Sequence, residues 1–144
     1  MRISTKGRYA LRLMIELAEH NDEYISLKEI ADRQEISKKY LEQIIPLFNN
    51  AGVLRTARGA QGGYKLAKAP AKYTVGDILR IAEGSLAPVP CVDRETVECD
   101  RSAACATLPI WRGLSKVINE YLDSITLQDM VDQQKERYAN DYII

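Results

Sequence analysis

Three cysteines, Cys91, Cys99 and Cys105, lie in one stretch, APVPCVDRETVECDRSAACATLP, and no other cysteine occurs in the 144 residues. Thiolates are soft ligands, so three in one polar loop suit a metal or cluster site. Structural zinc takes four ligands, commonly as Cys-x2-Cys pairs that grip one ion. Here the spacings are x7 and x5, and the single histidine, His20, is distant in sequence. An iron–sulfur cluster is larger, its thiolate ligands can stand further apart, and another residue type can fill one position. The wide spacings fit that chemistry better than zinc. A nucleophilic cysteine is a weaker match, because no His, Asn or Asp motif accompanies any of the three. Three unrelated thiols remain an alternative, although their confinement to about a tenth of the chain speaks against it.

An odd cysteine count without an export signal argues against a disulfide framework and makes the cytoplasm the expected compartment. The N-terminal MRISTKGRYALRLMIELAEH has a basic start and an apolar stretch. Arg12 and Glu16 interrupt that stretch and no small-residue cleavage site follows, so it reads as a soluble helix rather than a leader. No apolar run approaches the ~20 residues a bilayer span needs, so no membrane partner is expected. No constellation of acid, base and nucleophile appears either, which argues against an enzyme and a small-molecule substrate.

The zero net charge hides an asymmetry. Residues 1–80 carry 14 Lys and Arg against 9 Asp and Glu, whereas the remainder carries 6 against 11. A basic front half suits a polyanion, because neutralised phosphates release their counterions. Two solvated surfaces of opposite sign would give the same count.

The apolar spacing predicts a first helix over residues 5–19, with Ala10, Met14, Leu17 and Ala18 on one face and Leu11, Leu13 and Ile15 widening it. Ser26 and Glu29 form a capping-box pattern for a second helix running to about Arg33. Ser37 caps a third, with Ile36 and Leu41 as a hydrophobic staple and Gly52 as its C-terminal stop. Pro46 predicts a kink there, since it lacks an amide hydrogen and its ring meets the carbonyl of Glu42. Val53, Leu54 and Thr56, then Tyr64 and Leu66, suit two short strands around the Gly-rich tip 58–63. Three short helices and such a hairpin read as a winged helix-turn-helix, with a small α+β domain free of nucleic acid as the alternative.

Thr74 caps a further helix ending near Gly84. Beyond the cysteines, Pro109 suits a first helical turn, and Ile110, Leu114, Val117, Ile118, Tyr121 and Ile125 recur at helical spacing, with Trp111 and Leu122 beside them. So wide a stripe suggests pairing with a second copy, or packing on its own domain. Thr126 opens a short last helix. The expected class is therefore mostly α with a small β-wing. The units are a winged helix over 1–85, a cysteine loop over 86–108, and a dimerisation helix plus short C-terminal helix over 109–144.

MRISTKGRYALRLM, ISKKYLEQI, RGAQGGYKLAK, TVGDILRIAEG, the cysteine loop, IWRGLSKVI and TLQDM follow in that order. With them the chain resembles the IscR-like winged-helix regulators that sense iron–sulfur status, over essentially its whole length. The resemblance implies a homodimer on double-stranded DNA, with the third helix in the major groove. It implies that Ser37, Lys39, Tyr40, Glu42 and Gln43 face DNA, that Arg58 enters the minor groove, and that Glu42 discriminates between operators. Glutamine can pair with adenine, and glutamate can accept from cytosine. A lone arginine suits a narrow A-tract groove.

It also implies that Cys91, Cys99 and Cys105 hold a cluster, [2Fe-2S] first and [4Fe-4S] in a nitric-oxide- or iron-responsive branch, and that targets include cluster-assembly genes. The fourth ligand departs from the pattern. Leu108 stands where one branch has histidine and Arg8 where another has aspartate, and neither side chain offers a lone pair. His20 is about 18 Å further along the first helix than Arg8, which leaves Asp100, Glu98, a residue of the second copy, or solvent. Partner-protein control, as in relatives that sense cysteine supply and lack these thiols, and a metal-free thiol switch are the rival mechanisms.

Overall fold

The computed structural model describes residues 2–94 and 99–141. The first helix, α1 (Thr5–Glu19), starts where the Ser4 hydroxyl accepts from the Gly7 amide at 3.2 Å. Its buried residues include Ala10, Leu13, Met14, Leu17 and Ala18, and α1 packs against most of the other elements. The second helix, α2 (Leu27–Gln34), is capped by Ser26. Only half of the expected box forms, because the Glu29 carboxylate bonds Arg33 instead of returning to the cap. Glu35 turns the chain in the left-handed region (φ 53°). Ile36 and Leu41 are then both buried at the start of α3 (Lys38–Asn50), as a staple requires.

The third helix runs through Pro46 without a break. A proline in a helix interior costs about 3 kcal/mol, and burial must offset it. Leu41, Ile44 and Phe48 are 0% exposed and Ile45 4%, and each such side chain contributes roughly 1.5–3 kcal/mol. Gly52 (φ 73°) follows the helix end.

Strands β1 (Leu54–Ala57) and β2 (Gly63–Leu66) pair antiparallel, Leu54 with Leu66 and Ala57 with Gly63. The sequence pattern did not reveal that Ile25 also pairs with Tyr64, through bonds of 2.8 and 3.0 Å. Gly63 permits this: a Cβ there would stand 2.2 Å from the Ile25 carbonyl oxygen. The wing is thereby tied to the segment that leads into α2.

Thr74 and Asp77 make a complete capping box on α4 (Val75–Glu83). The long helix α5 (Leu108–Asp123) begins at buried Leu108. The last helix is not short. It is α6 (Leu127–Asp141), 15 residues opened by a reciprocal Thr126–Asp129 pair at 2.9 and 3.0 Å. Its Leu127 and Val131 enter the core built on α1, α3 and the wing. A second cluster of Val75, Leu79 and Leu86 receives Ile118 and Leu122 from the inner side of α5 and Ile125 from the link that follows it. Among the described residues no helix is long and apolar enough to cross a membrane.

Candidate nucleic-acid interface and metal centre

With Leu41, Ile44, Ile45 and Phe48 buried, helical geometry turns Lys39, Glu42, Gln43 and Pro46 outward. Ser37 is exposed, and its hydroxyl accepts from the Tyr40 amide at 3.1 Å, which leaves the proton free to donate elsewhere. Tyr40 is half-buried. Its ring meets Tyr9 edge to face at 5.2 Å, and Arg12 lies over Tyr9 at 5.5 Å. Tyr40 therefore fixes the start of α3 against α1 as well as bordering the exposed face. The far end of α3 is tied to the wing where Thr56 Oγ1 donates to Asn49 Oδ1 at 3.4 Å. Arg58 is exposed at the wing tip, beside a turn in which Gly62 donates to the Gly59 carbonyl at 3.0 Å.

The joint between α1 and α2 is ionic. Glu16 is 4% exposed, accepting from Arg33 at 3.1 Å and Gln34 at 2.8 Å. Glu16, Glu19 and His20 can bring one ligand atom each within 4.8 Å of one another. The Glu16 oxygens, however, are already hydrogen-bonded, and His20 lies 3.3 Å from Glu23 and 3.8 Å from Glu16. His20 is thus occupied at the end of α1 rather than at the cysteines.

The cysteine loop hangs between α4 and α5. Cys91 sits in a 3-10 turn (Pro90–Val92), and Cys105 follows another (Ser102–Ala104). Cys91 and Cys99 are exposed, Cys105 half-buried, and all three are free thiols. Among the described residues they do not gather into one close ligand set. Cys105 Sγ lies 3.4 Å from Thr107 Oγ1. That hydroxyl, then the amides of Thr107 and Leu108, hold the Cys105 thiol below its ordinary pKa, which favours the thiolate a metal would take. Leu108 is buried in the core and Arg8 is exposed, donating to Thr5 at 3.0 Å. Asp100 is exposed beside Cys99, whereas Glu98 lies outside the described residues. The three thiols fit a thiolate-held cluster in donor chemistry, and among the described residues Leu108 and Arg8 supply no fourth ligand while Asp100 stands exposed beside Cys99.

Sequence reasoning missed the ties around this loop. The Asp93 carboxylate accepts from the Ser85 hydroxyl just past α4. Glu83, in the last turn of α4, accepts from the Ser4 amide at 3.0 Å and hydroxyl at 2.5 Å, joining α4 to the start of α1. The signal for the second tie was Gly7, an odd residue inside a helix: a Cβ there would stand 2.2 Å from the Glu83 carboxylate. Arg80 makes a paired contact to Asp123 at 2.8 and 2.9 Å and reaches Asn119 at 2.6 Å, which fixes α5 to α4. The outer side of α5 stays uncovered, with Ile110 61%, Leu114 42%, Val117 63% and Tyr121 64% exposed.

Residues 3–133 match the family model Rrf2, described as an iron-dependent transcriptional regulator. The HTH-type transcriptional regulator CymR of Bacillus subtilis (strain 168) is 41% identical over 142 residues, covering 96% of this chain and 97% of that protein. Its solved structure, named as the global cysteine regulator, aligns with TM-score 0.77 at 39% identity over 92% of this chain and 98% of that one. The regulator IscR of Erwinia tasmaniensis is 36% identical over 136 residues, 94% of this chain and 81% of that protein. The structure of T. potens IscR aligns with TM-score 0.75 at 40% identity, over 95% and 90% of the two chains. Matched in fold and sequence nearly from end to end, the chain belongs to the Rrf2 family, and is a winged-helix, DNA-binding transcription regulator rather than an enzyme.

Proposed function

We propose that this protein is a cytoplasmic homodimer whose affinity for DNA is set by an iron–sulfur cluster, [2Fe-2S] in the first instance, held by Cys91, Cys99 and Cys105. The observation that carries the reading is the confinement of three free thiols to the one loop that joins α4 to α5. The iron-dependent family description and the similarity to IscR proteins support it. When bound, the cluster would supply a state sensitive to redox conditions and to iron and sulfide supply. The chain's own part is mechanical. Asp93 ties the loop to Ser85, and Glu83 and Arg80 tie α4 to α1 and α5. A loop arrangement favoured by the bound form therefore biases the spacing of the two α3 helices, by no more than its difference in affinity for the two arrangements. On DNA, Ser37, Lys39, Tyr40, Glu42 and Gln43 line the major-groove face and Arg58 takes the minor groove. Genes for cluster assembly are the expected targets.

A second reading, control of cysteine supply without a cluster, is favoured by the 41% identity to CymR. Protein purified without oxygen separates the two. The cluster reading expects visible absorption and iron with sulfide, mostly lost in each of Cys91→Ala, Cys99→Ala and Cys105→Ala, with altered DNA binding at one fixed salt concentration. Iron content distinguishes [2Fe-2S] from [4Fe-4S]. Colourless protein after anaerobic reconstitution points to a thiol switch, and unchanged DNA binding after removal of all three thiols points to a partner protein. Arg58→Ala should weaken binding to A/T-rich flanks more than to G/C-rich ones, and equal losses would make it a phosphate contact only.

A further inference from the structure

Among the exposed residues of α3 that the resemblance does not assign, Pro46 is the one whose side chain is wholly apolar. It continues the row of Lys39, Glu42 and Gln43 at intervals of three, one and three. The reading helix of a homeodomain contacts bases from the same i, i+3, i+4, i+7 set. A proline there removes the hydrogen bond that would end on the Glu42 carbonyl, and an exposed ring recovers little of that cost through packing. The helix nevertheless continues through it to Asn50. Chemically the ring is rigid, apolar and without a donor. Base edges in the major groove offer such a group one apolar partner, the thymine C5-methyl.

The geometry points to Pro46 as a specificity-determining residue that reads a thymine methyl. This rests on α3 being the helix that enters the groove. The rise of 1.5 Å per residue places Pro46 about 4.5 Å beyond Gln43, and bases stack about every 3.4 Å. The thymine therefore lies one or two base pairs from the position that Gln43 reads.

The full-length protein is used to select duplexes from a randomised library at one salt concentration. Each thymine of the selected site is then replaced in turn by deoxyuridine, which lacks only the methyl. At one thymine per half-site the replacement should lower affinity by about fourfold, the factor expected for exposing one methyl-sized group. Pro46→Ser should bind the thymine site about as weakly as wild type binds the uracil site, and should no longer respond to the replacement. Pro46→Ala, which keeps an apolar surface, should restore part of the response. Both variants should unfold at a higher temperature than wild type, so a lost response is not lost folding. If wild type is indifferent to every replacement, or Pro46→Ser keeps the full response, the assignment is overturned. Gln43→Ala separates the two levels. If it changes neither affinity nor selected sequence, α3 is not the reader and both fail; if it changes the sequence while the replacements do nothing, only the Pro46 assignment fails.

Discussion

At the residue scale, single polar atoms decide most of what lies between the helices. Glu16 interrupts the apolar stretch of α1, yet it is 4% exposed. Burying a carboxylate is costly unless it is paired, and Arg33 and Gln34 supply the partners. Glu16→Ala should cost about 1–3 kcal/mol, the range for leaving buried hydrogen-bonding groups without partners, read as a lower urea midpoint. The Cys105 thiol is held below its usual pKa first by the Thr107 hydroxyl and then by the Thr107 and Leu108 amides. The thiolate is the reactive form, so Thr107→Val should raise that pKa and shift the alkylation-rate profile of metal-free Cys105 to higher pH. A profile that does not move would assign the lowering to the amides alone.

Elements meet through a few ion pairs and caps, and the α4–α5 contact is the clearest. Arg80 lowers the pKa of Asp123, helped by Thr74. A carboxylate depressed in the folded state stabilises above its unfolded pKa of about 3.9. That contribution is lost as pH falls through the lower, folded value. Asp123→Asn should therefore destabilise at pH 7, and the gap from wild type should close in acid below about pH 4. The two side chains are 35% and 44% exposed, so screening by solvent holds the loss to about 1 kcal/mol or less. Thermal unfolding of both proteins between pH 3 and 7 checks it; a constant gap would mean that the charge of Asp123 is irrelevant.

For the whole molecule, α5 divides its apolar stripe between two uses. Ile118 and Leu122, with Ile125 just past the helix end, pack toward the Val75, Leu79 and Leu86 cluster. Ile110, Leu114, Val117 and Tyr121 remain more than 40% exposed, at intervals of four, three and four. That spacing makes a continuous seam of the kind two helices share, which supports the proposed dimer. Val117→Glu places a charge in the seam and should raise the dimer dissociation constant at least tenfold by sedimentation. Binding to paired half-sites should fall with it, while a single half-site is less affected. A variant that stays dimeric would move the interface elsewhere.

Period, caps and turn residues made the secondary structure legible along most of the chain. Ser37, Thr74 and Gly52 marked ends because caps act within one turn, and the Gly-rich tip marked the wing because a hairpin is local. The candidate cysteines and the α3 row were legible for the same reason: they are neighbours in sequence or on one helix face. What stayed hidden depended on elements meeting at long range. That α3 continues unbroken through Pro46 rests on its buried face, which outweighs one missing hydrogen bond. The last helix is longer than its weakly amphipathic sequence suggested, because Leu127 and Val131 gain a core made by other elements. The Ser85–Asp93 and Ser4–Glu83 ties join residues 8 and 79 positions apart, and the Ile25–Tyr64 pairing crosses two helices. Propensity acts over a few residues, whereas such contacts exist only once burial has brought distant segments together.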